Sequence, residues 1–237
     1  MIIDCHNHLG TDSDGGSQTE IELFSRMEEA GIDRAVCFPF SGTNEEMIGA
    51  SYKILYIAKK ERRIIPFCRF DPQQITRAKL RELLGAGFRG VKLHPFAQDF
   101  VADDTTLDWI YTELEKKRLP VLFHSKQFHD GSHPRRIIAV AKQHPRLPII
   151  IGHFFGDDPS TAELCKPLLN VYSEISISGR ALRIRQIVKE GFDRLLFGSD
   201  SPYDDPEAQL LKLKKSGLSF QEFTRIVDTN PRLLFCL

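Results

Sequence analysis

Eight short β-rich runs recur along the chain, alternating with stretches of helical period, and this alternation limits the fold more than any other feature. The runs are Met1 to Cys5, Arg34 to Phe38, Ile64 to Arg69, Phe88 to Leu93, Pro120 to His124, Pro148 to His153, Val171 to Ile177 and Arg194 to Phe197. Several are continuously apolar, as in Leu147-Pro148-Ile149-Ile150-Ile151, the pattern of parallel strands buried on both faces. The intervening segments carry helix start signals. Thr19 with Glu22, Thr43 with Glu46, Ser160 with Glu163 and Ser219 with Glu222 have capping-box spacing, in which hydroxyl and carboxylate each satisfy a free backbone N–H. Gly31, Gly85 and Gly191 stand where a left-handed residue would end a helix.

Strand and helix in alternation imply a parallel sheet with crossover helices, either open and doubly wound or closed. Eight units in 237 residues, close to the ~250 typical of the closed form, favour an α/β fold of the (β/α)8 TIM-barrel class, slightly distorted, as a single domain over 1–237. An open dinucleotide-binding sheet calls for a glycine-rich loop after the first strand, where this chain has His6-Asn7-His8.

Composition narrows the function. Lysine plus arginine and aspartate plus glutamate number 32 each, so no net field attracts nucleic acid or an anionic membrane, and the expected partner is a small-molecule substrate. Self-association into a homo-oligomer stays open. The five cysteines are widely spaced without a Cys-Xaa-Xaa-Cys pair, which argues against a disulfide framework or a cysteine zinc site. Cys5, Cys37 and Cys68 read as small buried groups. The chain starts without a basic, signal-like segment and has no apolar stretch of membrane-spanning length, so a cytoplasmic protein is expected.

Five of the eight histidines fall at the C-terminal ends of predicted strands: His6 and His8, His94, His124 and His153. Asp200 follows the eighth. In a closed barrel these ends converge on the rim that carries the active site. His6 and His8, two apart, project to the same side of an extended backbone, which is ligand geometry. A His-Xaa-His pair arises by composition alone in roughly one such chain in four, so the weight lies in its conjunction with the later strand ends. Neutral imidazoles with one carboxylate suit a divalent metal, Zn²⁺ first, with Mn²⁺, Fe²⁺ or Co²⁺ as alternatives, and would lower the pKa of a bound water towards ~7.

That order of residues resembles the metal-dependent hydrolases of the amidohydrolase superfamily, in the branch containing 2-pyrone-4,6-dicarboxylate lactonase and aminocarboxymuconate-semialdehyde decarboxylase. The likeness is carried by Ile3 to His8, Gly87 to Pro95, Val121 to His124, Ile151 to His153, Leu195 to Pro202 and Asn230 to Phe235. It implies that His6, His8, His124 and Asp200 hold one metal ion per active site. It also implies that His153 contacts the metal-bound water or the reacting oxygen, and that Asp200 moves the proton, which makes Asp200 and His153 the catalytic candidates.

Lys92 shares one strand face with His94 and is expected to bind a substrate carboxylate or support the metal site; a bridge between two metals through Lys92 is the alternative. His94, Arg69 and, after strand seven, Arg180 are further substrate-binding candidates, the arginines through bidentate hydrogen bonds. His129 and His133 lie in the loop after strand five. Trp109 with Leu107, Ile110 and Leu114 reads as a core-facing helix stripe. The leading expectation is hydrolysis of a small ester, lactone or amide by a metal-activated water. The alternatives are non-oxidative decarboxylation and a non-catalytic barrel with a structural metal. A TatD-type nuclease would share the His-Xaa-His start, but Lys92 and His94 stand where its strand-four acid is expected, and the balanced charge offers no phosphate-binding field.

Overall fold

A computed structural model describes residues 1–12, 15–177 and 180–237. Eight parallel strands appear in the predicted order: β1 (Ile3–Thr11), β2 (Arg34–Pro39), β3 (Ile64–Arg69), β4 (Gly90–Leu93), β5 (Val121–Phe123), β6 (Ile149–Ile151), β7 (Val171–Glu174) and β8 (Leu195–Leu196). Each pairs in parallel with the next. The Cys5 N–H donates to the Phe197 carbonyl, the Asp200 N–H to His6 and the His8 N–H to Ser201, so the segment after β8 closes the barrel against β1. A two-residue strand, Ser17–Gln18, pairs antiparallel with the end of β1 at the mouth.

The boundaries differ from the sequence reading in one consequential place. β1 runs on to Thr11, so His6 and His8 lie within the strand, and its pairing register with β2 shifts between Asp4 and Asn7. Alternate residues of the strands face inward, where Ile3, Cys5, Val36, Phe38, Ile65, Phe67, Leu122, Ile150 and Leu196 fill the barrel. Leu234 and Phe235 of the helix Asn230–Phe235 stopper the same cluster, with Phe235 edge-on to Phe67 at 5.7 Å. Apolar filling at one end leaves the other for polar groups. A second, larger core joins the outward strand faces to the helices.

The helix signals are mostly observed. Thr19, Thr43 and Ser219 form complete capping boxes, and Gly31 ends its helix at φ 70°. Two expectations are corrected. Ser160 makes no cap bond, because Asp158 takes both its N–H and its hydroxyl. Gly85 lies inside the helix Arg77–Ala86, and Gly87, at φ 108°, ends it. Ile110, Tyr111 and Leu114 are the buried face of the helix Asp108–Lys117, while Trp109 is half-buried beneath the Arg77 guanidinium. All five cysteines are free, with Cys5, Cys37 and Cys68 buried. Among the described residues no helix is long and apolar enough to cross a membrane.

Candidate active site

Barrel closure carries His6, His8 and Asp200 together. Asp200 Oδ1 lies 2.9 Å from His6 Nε2 and 3.1 Å from His8 Nε2. Burial opposes ionisation of Asp200, yet the facing His6 and the hydrogen bonds from both imidazoles hold its carboxyl well below the usual carboxylate range. His6 Nδ1 is 2.9 Å from Oε1 of Glu174, a fully buried residue at the end of β7. Glu174 also accepts the His153 N–H at 2.6 Å, the Ser176 N–H at 2.7 Å and the Ser176 hydroxyl at 3.0 Å. Its pKa is depressed: His6 and these donors overcome the cost of burial. His6 thus sits between two ionised carboxylates, which raise its pKa against the opposing effects of burial and Lys92.

Sequence reasoning missed Glu174. Its only signal there is parity, since it stands two residues after the inward-facing Tyr172 of the same strand.

His153 sits on an unusual backbone. His153, Phe154 and Phe155 have φ of 54°, 50° and 61°, and Gly156 continues at 65°. A left-handed conformation costs each non-glycine residue about 1–2 kcal/mol. The turn is held by the His153 N–H bonded to Glu174 Oε1, by the Phe155 N–H bonded to Ser173 Oγ at 3.0 Å, and by the burial of both phenylalanines. His153 Nδ1 is 2.9 Å from Ser176 Oγ, and its Nε2 is 2.9 Å from His124 Nδ1. His94 stacks on His124 with ring centroids 3.7 Å apart.

These rings line a cleft of about 910 Å³ at the open end of the barrel, together with Asp12, Ser41, Lys92, Phe96, Lys126, Phe128, His129, Asp200 and Tyr203. Lys92 is fully buried at its floor, with Nζ 3.3 Å from His6 Nε2 and 4.9 Å from the Phe38 ring centroid. Burial lowers its pKa to about 7. Arg69 lies behind the wall: fully buried, it donates to the Pro39 carbonyl at 3.2 Å and to Ser41 Oγ at 2.7 Å, and does not line the cleft. Arg180 is exposed at the start of the helix Ala181–Lys189. His129 borders the cleft, and both His129 and His133 accept backbone N–H bonds at helix starts.

The residues present fit a divalent cation. The donor atoms of His6, His153 and Asp200 lie within 4.8 Å of one another, and the two carboxylates flanking His6 favour positive charge there. His124 Nε2 and His8 Nδ1 are buried and have no hydrogen-bond partner among the described residues. The geometry brings His6, His8 and Asp200 onto one oxygen. It places His124 one hydrogen bond behind His153.

Solved structures of similar fold cover the whole length of the chain. A 5-carboxyvanillate decarboxylase from Sphingomonas paucimobilis superposes with a TM-score of 0.82 at 13% identity, over 100% of this chain and 99% of its own. A dihydroxybenzoic acid decarboxylase from Polaromonas sp., with bound manganese and 2-nitroresorcinol, gives 0.80 at 15% identity over 100% and 97%. A probable 2-pyrone-4,6-dicarboxylic acid hydrolase from Acinetobacter baumannii, with bound citric acid, gives 0.72 at 20% identity over 100% and 99%. No curated protein matches the chain in sequence. Residues 3–237 match the sequence profile described as amidohydrolase, so the chain belongs to the amidohydrolase family.

Proposed function

We propose that the chain is a metal-dependent hydrolase of a small carboxylate-bearing ester, lactone or amide. The observation that carries this reading is the Asp200 carboxylate, 2.9 Å from His6 and 3.1 Å from His8, in a cleft that also holds Lys92 and Lys126. His6, His8, His124 and Asp200 would hold one divalent cation, Zn²⁺ first, with Mn²⁺, Fe²⁺ or Co²⁺ as alternatives. When bound, it supplies Lewis acidity, polarising a carbonyl and acidifying a water at neutral pH.

Asp200 accepts the proton of the attacking water and returns it to the leaving group, the double role open to a carboxylate at that position. His153, its Nδ1 anchored on Ser176, keeps Nε2 turned inward towards the reacting oxygen. Lys92 and Lys126 attract the substrate carboxylate, and His94 contributes a face over His124. Phe96, Phe128 and Tyr203 flank the body of the substrate at the mouth. Decarboxylation is the second reading. Aromatic side chains and lysines in one cleft are also the lining a flat carboxylate would need before losing CO₂.

The test is product analysis. Zn²⁺- or Mn²⁺-loaded protein is screened against lactones, esters, amides and aromatic carboxylates, with His6→Ala as the blank. Acid or amine release by the wild type alone supports hydrolysis, and CO₂ release supports the second reading. Equal activity in both proteins rejects a metal mechanism.

A further inference from the structure

We propose that Glu174 is a positioning residue that sets the His6 ring and the His153 turn in one frame, so that both imidazoles present Nε2 to the same point. The inference goes beyond the proposed reaction and rests on that reading only where the metal is concerned.

The carboxylate is used up by its neighbours. Oε1 faces three donors, His6 Nδ1 at 2.9 Å, the His153 N–H at 2.6 Å and the Ser176 hydroxyl at 3.0 Å, and Oε2 takes the Ser176 N–H at 2.7 Å. Both oxygens accept backbone N–H bonds, so the carboxylate also accepts from His6, the proton on that bond belongs to Nδ1, and Nε2 faces Asp200 and Lys92. The backbone bond acts on the second histidine. It ties the first left-handed residue of the turn to the oxygen that orients His6, and Ser176, bonded to Glu174, anchors His153 Nδ1 at 2.9 Å. One buried side chain on β7 thereby links a ring from β1 to a ring after β6.

The surrounding backbone is shaped to admit it. A Cβ on Gly152 would lie 3.3 Å from Glu174 Oε1 and 2.7 Å from the Phe123 carbonyl, and one on Gly198 would lie 2.6 Å from Glu174 Oε2. Two glycines just past the ends of the strands either side of β7 leave room for this carboxylate. Partners that orient a ligating histidine through its other nitrogen are typically worth roughly 10–100-fold in metal affinity.

Glu174→Gln separates positioning from bulk. Whichever way the amide is turned, its NH₂ meets at least one of the donors that now face an oxygen. Competition of Zn²⁺ against a chromophoric chelator should show Glu174→Gln binding roughly 10–100-fold more weakly than the wild type. Glu174→Asp, which keeps the charge, should recover part of the loss. A second readout is independent of metal. The His6 Nδ1 proton, shielded against a buried carboxylate, should give a slowly exchanging downfield ¹⁵N-coupled imidazole signal in the wild type, assigned by its loss in His6→Asn. That signal should be absent from Glu174→Ala.

Equal Zn²⁺ affinity in the wild type and Glu174→Gln would overturn the proposal, and so would a wild type without the protected Nδ1 proton. A Glu174→Gln that fails to fold leaves Glu174→Asp and the wild-type signal to decide. A wild type that binds no metal yet shows the protected proton, lost in Glu174→Ala, would defeat the proposed function while supporting Glu174 as the residue that orients His6.

Discussion

His6 and Asp200 meet twice: the Asp200 N–H donates to the His6 carbonyl at 2.9 Å, and Asp200 Oδ1 lies 2.9 Å from His6 Nε2. The first contact belongs to barrel closure and the second to the site, so the closure that completes the barrel also brings this pair together. The backbone bond survives a change of side chain. Asp200→Asn should therefore fold normally by circular dichroism while turnover falls by roughly 10²–10⁴-fold, the usual worth of a positioned general acid–base. Full activity in that variant contradicts the role given to Asp200.

The ligand assignment can be separated from its geometric rival. His124 is the proposed ligand, yet His153 has its donor atom grouped with those of His6 and Asp200. His124→Asn should lower Zn²⁺ affinity more than His153→Asn, and His153→Asn should lower kcat with metal retained. The reverse order, measured by the same chelator competition, would make His153 the ligand.

Stability of the metal-free protein should fall on mild acidification. Burial pushes His8 down to about 3 and His153 to about 4, and holds His94 and His124 well below the ordinary imidazole range. Below pH ~6.5 the unfolded chain takes up protons that these folded rings refuse, so stability drops with pH in that window. Two groups act the other way. His6 is held above its ordinary value by Asp200 and Glu174 despite burial and Lys92, and burial raises Asp4 to about 6. Lys92, pushed down by burial to about 7, adds to the loss at the upper end of the window, and five groups against two leave a net loss, up to about 1.4 kcal/mol per pH unit for each uncompensated group. Urea midpoints at pH 7 and pH 5 check this, and an equal or higher midpoint at pH 5 contradicts it.

Crowding around Glu174 makes Gly198 sensitive. A Cβ there would meet Glu174 Oε2 at 2.6 Å and His6 Cβ at 3.0 Å, so Gly198→Ala should cost about 1–3 kcal/mol by denaturant unfolding. Gly49, in the helix Asn44–Lys60, has nothing within 4 Å of its added Cβ. Gly49→Ala should be neutral or stabilising by up to about 1 kcal/mol.

What was legible follows from what local patterns encode. The barrel is readable because eight buried parallel strands leave eight β-rich runs, and the rim because a histidine at a strand end is conspicuous in such a run. Glu174 is not, since a single acid in Val171-Tyr172-Ser173-Glu174-Ile175 becomes informative only once the closed barrel makes its parity inward. Nor is the left-handed turn from His153 to Gly156, whose His153 and Phe155 N–H groups donate across strands to Glu174 and Ser173. Arg69 stood at a strand end like the histidines, but its long side chain reaches the Pro39 carbonyl and Ser41, contacts set by how β2 ends. Gly85 and Ser160 depart from their local signals for local reasons: Gly87, two residues on, ends the helix, and Asp158 competes for the serine.

The most direct test of the central claim is the metal content of the purified protein after dialysis against Zn²⁺ and then metal-free buffer, for the wild type and His6→Ala. One divalent ion per chain in the wild type and far less in the variant is the predicted result. A wild type that retains none, or a variant that retains as much, contradicts a metal centre built on His6 and Asp200.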